Sequence, residues 1–238
     1  MPGTMALHPW WPSTLPHPHL PFELLAYTAG FQLFLWQRRR RRDSVDSAEN
    51  RGWLTVAALC GAAIGAKVLF WLEDPTWTAA HLTDLPALMT GKTVVGGFLG
   101  GWSAVELAKS RLHIAHSTGD VLVLPMVLGL ILGRLGCFFS GVDDATHGTP
   151  VPWGMDLGDG IPRHPTALYE IVFLLGLTPF LNATQRDGRK FLMFMAAYLA
   201  FRLVAESIKI QPFPYFGLSG IQAACILGLG AVIWRWNK

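Results

Sequence analysis

Charged residues are scarce in this 238-residue chain, at 15%, whereas hydrophobic residues make up 51% of it. With a mean hydropathy of +0.35, the chain is too apolar for an ordinary soluble domain and is typical of an integral membrane protein. The net charge is only +3, and the arginines cluster beside apolar segments. The sequence therefore does not predict nucleic-acid binding.

Cysteine is also scarce, with three residues in the chain. Cys60, Cys137 and Cys225 stand far apart and match neither a zinc-binding nor a CxxC spacing. The sequence therefore predicts no metal site and no cofactor. Cys60 and Cys225 lie in apolar segments, where they are expected to be inert packing residues.

The N-terminus lacks the basic region that begins a secretory signal peptide. Residues 1–20 contain five prolines and are predicted to form a Pro-rich external segment. The first apolar segment is therefore expected to direct insertion into the membrane.

The chain contains several long apolar segments. A helix needs about 20 apolar residues to cross the hydrocarbon core, and fewer where protein shelters it. Seven segments qualify, at residues 21–36, 53–72, 93–108, 121–139, 167–181, 191–208 and 219–234. We therefore predict an all-α integral membrane protein with about seven transmembrane helices. It would form a single polytopic domain over residues 1–238, with an external turn-rich loop at 140–166.

Lysine and arginine set the predicted orientation, because cytoplasmic loops carry an excess of both. A run of five arginines at 38–42 directly follows the first span. Placing that run in the cytoplasm puts the N-terminus outside and, after seven spans, the C-terminus inside. This arrangement places 13 of the 19 basic residues in cytoplasmic stretches. The run itself is interpreted as a topology signal that touches anionic headgroups.

Topology does not explain the other six basic residues, which lie in the membrane or toward its outer face: Lys67, Lys92, Arg134, Arg163, Arg202 and Lys209. A charge inside hydrocarbon costs roughly 2.5–3.5 kcal/mol on insertion scales, so a function is expected there. In the sixth span Tyr198, Arg202 and Glu206 are spaced i, i+4, i+8 and share one helical face. Arg202 and Glu206 are predicted to pair. The pair either locks two helices together or belongs to a site.

Two basic clusters flank the loop after the fourth span. The first, at residues 133–141, reads Gly-Arg-Leu-Gly-Cys-Phe-Phe-Ser-Gly and places Arg134 at the end of that span. The second, at residues 161–170, contains Arg163 and His164. Because the forked donors of arginine suit phosphate, the clusters predict a site for an anionic lipid or a lipid-linked phosphate at the outer face of the membrane.

The loop between the clusters, residues 141–163, is rich in glycine and proline and is predicted to contain no regular element. Pro165 and Thr166 suit a helix start, with Glu170 in the first turns. His147 and His164 are candidate general bases, although a lone histidine is more often structural. His164 is the stronger candidate because it lies between Arg163 and Pro165. Three acids are interpreted as ordinary solvated loop residues: Asp143, Asp156 and Asp159.

These residues are where the chain resembles the prolipoprotein diacylglyceryl transferase family, and the likeness runs in order along most of its length. The matching pieces are Gly133-Arg134-Leu135-Gly136 with Phe138, Pro152-Trp153-Gly154, Arg163-His164-Pro165 with Leu168-Tyr169-Glu170, Tyr198, Phe201-Arg202, Glu206, and Leu218-Ser219 with Gln222. Weaker matches are Tyr27 with Gly30-Phe31, Gly65-Ala66-Lys67 and Gly96-Gly97.

The resemblance implies a membrane enzyme that moves a diacylglyceryl group from phosphatidylglycerol to the thiol of a lipobox cysteine and releases glycerol phosphate. Its partners would be phosphatidylglycerol, membrane lipids and prolipoprotein signal peptides, and its location the bacterial cytoplasmic (inner) membrane. By resemblance Arg134 and Arg202 hold the lipid phosphate, and Glu206 orients Arg202. The other implied site residues are His164 as a catalytic group, and Tyr198, Arg163, Tyr169, Glu170, Cys137, Gly141 and Asp144 on the substrate.

Four positions depart from the family pattern. Cys137 replaces an asparagine, Val142 replaces a glutamate just ahead of Asp143 and Asp144, Val95 replaces a histidine proposed as a base, and Glu23 replaces a tyrosine. The phosphate-binding half is therefore expected to be intact and the acceptor half altered, as in a divergent paralogue. Such a paralogue either uses another acceptor or positions the lipobox peptide with different groups. Cys137 is either a reactive thiol beside Arg134 or a small residue in the space of the asparagine, and we favour the second interpretation.

Two other function classes stay open for such a chain. One is a non-catalytic protein that binds or carries anionic phospholipid on the same fold. The other is a structural membrane subunit, for which arginines within apolar segments are hard to explain.

Overall fold

A computed structural model describes residues 8, 10–12, 14–40, 48–144, 146–184, 186 and 188–237. Over these residues the protein is mostly helical. The α-helices are α1 (His19–Arg40), α2 (Ala48–Glu73), α3 (Pro75–Ala80), α4 (Leu85–Met89), α5 (Val94–Arg111), α6 (Val123–Phe139), α7 (Thr166–Ala183), α8 (Arg189–Ala205) and α9 (Gly220–Trp236). Two 3-10 turns, Gly141–Asp143 and Glu206–Ile208, follow α6 and α8.

Each of the seven predicted apolar segments is largely helical in the structure. Three helical stretches are long and apolar enough to cross a membrane, at Glu49–Glu73, Thr166–Ala183 and Arg189–Ile208. Two shorter apolar helices are Val123–Phe139 and Gly220–Trp236. The count of seven spans and the orientation of the termini stay predictions. Part of the arginine run, residues 41 and 42, lies outside the described residues.

The chain divides into two compact units. Unit 1 comprises Met1–Arg42, Gly119–Phe194 and Ser207–Ile210, and unit 2 comprises Asp43–Thr118, Met195–Glu206 and Gln211–Lys238. Helix α8 contributes its first turns to unit 1 and the rest to unit 2. The single domain expected over residues 1–238 therefore stays a prediction.

In unit 1 helix α1 packs against α6. A Cβ atom added at Gly136 of α6 would lie 2.8 Å from Cβ of Phe22 on α1, so glycine is what permits this close approach. Asp120 caps the start of α8 by accepting hydrogen bonds from the backbone N–H groups of Gly188 at 2.7 Å and Phe191 at 2.9 Å.

The prediction that the loop at 141–163 contains no regular element is wrong. It contains an antiparallel hairpin of β1 (Pro150–Asp156) and β2 (Pro162–Arg163). The turn is closed by Asp156, whose side chain accepts hydrogen bonds from the N–H groups of Gly158 at 2.8 Å and Gly160 at 2.9 Å. Beyond the hairpin, α7 begins at Thr166 as the sequence predicted.

In unit 2 helices α2 and α5 cross closely where glycine faces glycine. A Cβ added at Gly65 would lie 2.3 Å from the carbonyl oxygen of Gly96, which is too close for any larger residue. Helix α9 starts with a capping box, in which the Ser219 hydroxyl accepts from Gln222 N and the Gln222 side chain accepts from Ser219 N, both at 3.0 Å.

Candidate functional site

Arg134 and Glu170 form a buried ion pair in unit 1. Arg134 Nε lies 2.9 Å from Glu170 Oε1, and the two residues are 7% and 3% exposed. Arg134 projects from the second half of α6, and Glu170 from the first turns of α7. The sequence predicted Glu170 in the first turns of this helix but not its pairing with Arg134. The sequence did contain a signal for it, because Arg134 and Glu170 each lie inside an apolar helix. Charged residues in such positions are seldom buried without a partner of opposite charge.

Cys137 lies beside this pair. Nη1 of Arg134 is 3.6 Å from Cys137 Sγ, so the residue that replaces the asparagine is a direct neighbour of the motif arginine. After α6 the chain reverses at Gly141, which is buried and has a φ of 62°. Glycine adopts this left-handed conformation without strain, and the reversal brings Asp144 back toward the end of α6.

Asp144 is partly buried and accepts a hydrogen bond from Thr146 N at 2.9 Å. Burial by itself raises the pKa of the Asp144 carboxyl. Contact with the Cys137 thiol, hydrogen bonding from Thr146 and the charge of Arg134 outweigh that effect, and the net pKa lies below the usual value. Asp144 is therefore a carboxylate at neutral pH.

His164 and Arg163 lie near the surface of unit 1. His164 Nδ1 is 3.1 Å from the hydroxyl of Tyr169. Arg163 pairs with Asp159 at 2.7 Å, and its hydrogen bond holds the pKa of the Asp159 carboxyl below its usual range. The other candidate base, His147, contacts the carbonyl oxygen of Asp144 at 2.8 Å through Nδ1. Asp156 closes the hairpin turn and Asp159 pairs with Arg163. Neither Asp156 nor Asp159 is therefore merely a solvated loop residue.

Unit 2 contains the second predicted arginine. Arg202 forms an ion pair with Glu206, and both are almost fully buried, at 4% and 1% exposure. The i, i+4 spacing predicted this pair correctly. Tyr198 is fully buried, with its ring 5.3 Å from that of Phe98 in an edge-on arrangement. Because Arg134 belongs to unit 1 and Arg202 to unit 2, their joint action on one phosphate stays a prediction.

Lys67 has a structural partner that the sequence did not reveal. Its Nζ donates to three backbone carbonyl oxygens at the end of α4, those of Met89 at 2.5 Å, Thr90 at 3.2 Å and Gly91 at 2.7 Å. A cation in this position satisfies the unpaired carbonyls of a helix end. Lys67 therefore holds α4 against α2.

Two of the departures from the expected pattern are also visible. Val95 is a core residue of unit 2 with 1% exposure, so the position of the expected histidine is apolar and closed. Glu23 accepts a hydrogen bond from the Tyr27 hydroxyl at 2.7 Å on the exposed side of α1.

Residues 23–236 match the sequence pattern of the family described as "Prolipoprotein diacylglyceryl transferase". The chain belongs to the prolipoprotein diacylglyceryl transferase family. The resemblance drawn from the motifs is thus confirmed, and the match includes both buried ion pairs.

Several proteins similar to this chain carry the name phosphatidylglycerol–prolipoprotein diacylglyceryl transferase. The protein from Cupriavidus pinatubonensis is 28% identical, over 90% of this chain and 86% of the relative. The protein from Vibrio atlanticus is 30% identical, over 88% of this chain and 81% of the relative. The protein from Aliivibrio fischeri is 32% identical, over 88% of this chain and 80% of the relative.

Proposed function

We propose that this protein transfers a diacylglyceryl group from phosphatidylglycerol to the thiol of a lipobox cysteine in a prolipoprotein and releases glycerol phosphate. The observation that carries the proposal is the family match over residues 23–236, with the motif arginine Arg134 buried and ion-paired within that range. A buried guanidinium suits a ligand whose headgroup is a phosphate diester. The relatives' names specify the same donor and acceptor.

The proposed reaction forms a thioether. The acceptor thiol loses its proton to a base, and its sulfur attacks the glycerol carbon that carries the phosphate ester. A carbon–sulfur bond forms while the carbon–oxygen bond to phosphate breaks, and the leaving glycerol phosphate keeps that electron pair. Negative charge therefore grows on the leaving group, where a preorganised cation or hydrogen-bond donor contributes about 2.7–4 kcal/mol.

Within this proposal Arg134 and Arg202 bind phosphate, and Glu170 and Glu206 orient them. Supporting this, each arginine is nearly buried and held by a carboxylate, so little side-chain freedom is lost when a phosphate binds. Tyr198 hydrogen-bonds the headgroup. His164 is the proposed proton acceptor, since the family's other histidine position is Val95.

The proposed location is the bacterial cytoplasmic membrane, with seven spans and the N-terminus outside. The distribution of basic residues supports this orientation, because 13 of 19 then face the cytoplasm. The catalytic groups would then work at the outer face of the membrane, where a prolipoprotein emerges.

The decisive experiment measures glycerol phosphate release from labelled phosphatidylglycerol by purified protein supplied with a lipobox peptide. Arg134→Ala is expected to abolish release, because the leaving group loses its counter-charge. The matched control is Arg111→Ala, which removes an exposed arginine at the end of α5 and is expected to leave release unchanged. Full release by a folded Arg134→Ala protein would overturn the role of Arg134.

A second candidate function is a binding protein for anionic phospholipid that has lost the chemistry. The burial of Val95 favours it, since valine is not a base and the family pattern has a histidine there. The same assay separates the two functions. Phosphatidylglycerol binding without release of glycerol phosphate, with any thiol peptide, would support the binding protein and reject the transferase.

A further inference from the structure

Three potential metal ligands of different chemistry converge in unit 1. They are His19 at the first residue of α1, Cys137 in the last turn of α6, and Asp144 just after the 3-10 turn. One ligand atom from each of the three lies within 4.8 Å of the other two. Neither their sequence positions nor the cysteine spacing predicts this meeting, because it depends on the packing of α1 against α6.

The approach of His19 is built into the helix packing. A Cβ at Gly136, the residue before Cys137, would be 3.7 Å from Cα of His19 and 2.8 Å from Cβ of Phe22. Glycine at this position thus lets the start of α1 lie directly over the end of α6. Gly141 then turns the chain so that Asp144 returns to the same place.

One oxygen of the Asp144 carboxylate is poorly supplied with hydrogen bonds. Oδ1 accepts from Thr146 N at 2.9 Å. Oδ2 is fully buried and has no hydrogen bond of ordinary geometry from the described residues. The carboxylate also contacts the Cys137 thiol, which is only a weak donor. A buried carboxylate oxygen with so weak a partner is costly. A cation bound between Asp144 and Cys137 would satisfy it.

We propose that His19, Cys137 and Asp144 form a binding site for a thiophilic divalent cation, with Zn²⁺ the preferred ion. Thiolate, imidazole and carboxylate are the three ligand types that Zn²⁺ takes in proteins. Ligand atoms around a tetrahedral Zn²⁺ lie about 3.3–3.8 Å apart, as follows from bonds of about 2.0–2.3 Å. The exposed His19 side chain closes the remaining gap by a small rotation and leaves the ion an entry path.

The positive charge of Arg134 is the main factor that opposes cation binding at this site. Its Nη1 atom is 3.6 Å from Cys137 Sγ, so it repels a cation held by that sulfur. Glu170, at 2.9 Å from Arg134 Nε, offsets part of that charge. Binding is therefore expected to be weaker than at a closed four-ligand site, and it releases the proton of the Cys137 thiol.

The test uses the full-length protein, tag-free and in detergent, titrated with Cd²⁺, whose thiolate complex absorbs in the ultraviolet. We expect one equivalent of Cd²⁺ to produce this absorption in the wild type, and Cys137→Ser to abolish it. Cys60→Ser is the matched control, because it removes an exposed thiol from unit 2. Absorption that persists in Cys137→Ser, or that Cys60→Ser removes, would overturn the proposal.

The other two proposed ligands, His19 and Asp144, each have a residue of the same type nearby in the sequence that serves as a control. His19→Asn and Asp144→Asn are expected to weaken Cd²⁺ binding by at least about tenfold, the smallest loss that even outer groups of a metal site cause. His17→Asn and Asp143→Asn are the controls and should bind like the wild type. Equal affinity across all four variants would rule out the site.

A further measurement needs no substitution, so misfolded variants cannot obscure the result. Zn²⁺ bound only by the folded protein raises the melting temperature, whereas Mg²⁺, which prefers oxygen ligands, should not. An equal rise with both ions, or none with Zn²⁺, would contradict the proposal. None of these readouts uses transferase activity, so this inference and the proposed function stand or fall separately.

Discussion

At the scale of single residues, the Arg134–Glu170 pair bears on stability and on the proposed phosphate binding. Removing one partner of a buried pair leaves an uncompensated charge, which typically costs about 3–5 kcal/mol. Replacing both partners by apolar residues of similar size is often neutral. Stability and the proposed phosphate binding are therefore expected to respond differently to single and double substitutions.

We predict that Glu170→Gln destabilises the protein by about 3 kcal/mol. This value is at the low end of the range for breaking a buried pair, because the amide oxygen still accepts a hydrogen bond from Arg134. The double variant Arg134→Met, Glu170→Met should recover most of that stability yet release no glycerol phosphate. Unfolding in detergent and the release assay measure the two effects. The control is Arg235→Gln, whose pair with Glu106 at 3.0 Å is partly exposed on both sides, so its cost should stay below about 1 kcal/mol. An active double variant would show that the pair is purely structural.

The two ion pairs also show which residue contacts the sequence predicts. Arg202 and Glu206 are four residues apart at the end of α8, so helical geometry alone brings them together. Arg134 and Glu170 come from α6 and α7, with a hairpin between them, and their meeting depends on tertiary packing. The His19, Cys137 and Asp144 cluster was missed for the same reason, because each residue comes from a separate part of unit 1.

At the scale of elements, hydrophobic run length predicted the long helices well because each contains a nearly continuous apolar stretch. The hairpin was missed because β1 contains Pro150, Pro152 and Gly154, residue types that strands disfavour. Its pairing depends on the Asp156 turn and on contacts with neighbouring segments. The short helices α3 and α4 were also missed, although Asp74 and Asp84 cap them with side-chain hydrogen bonds.

Helix packing in unit 2 gives a sharp prediction for Gly65→Ala. The new methyl group would lie 2.3 Å from the carbonyl oxygen of Gly96 and 2.8 Å from Cα of Gly100. Because both obstacles are backbone atoms, α2 and α5 must move apart, at a cost of about 1–3 kcal/mol. Thermal unfolding of the purified variant measures this loss.

The matched control for that substitution is Gly176→Ala in α7. A Cβ at Gly176 meets no atom within 4 Å, so alanine should be neutral or stabilise the helix by about 0.5–1 kcal/mol. If the two substitutions had equal effects, close packing of α2 on α5 would be refuted as a source of stability.

At the scale of the whole molecule, composition predicted a membrane protein before any motif was considered, and three helical stretches are long and apolar enough to cross a bilayer. The remaining predicted spans are shorter or more polar, because α5 carries Glu106 and Lys109 and α1 ends in arginines. Apolar length alone therefore does not decide whether they span. The distribution of lysine and arginine does predict a definite orientation.

We predict that a fluorescent protein fused after Lys238 fluoresces, since seven spans from an external N-terminus leave the C-terminus in the cytoplasm. In cells that carry Cys60→Ser, a membrane-impermeant maleimide should label Ile161→Cys, at an exposed position in the predicted external loop. Ala115→Cys, in the exposed turn after α5, should react only once the membrane is permeabilised. The positive-inside rule requires this difference, because Lys109 and Arg111 lie beside position 115. Labelling of Ala115→Cys in intact cells would invert the predicted topology and move the proposed phosphate-binding arginines to the cytoplasmic face.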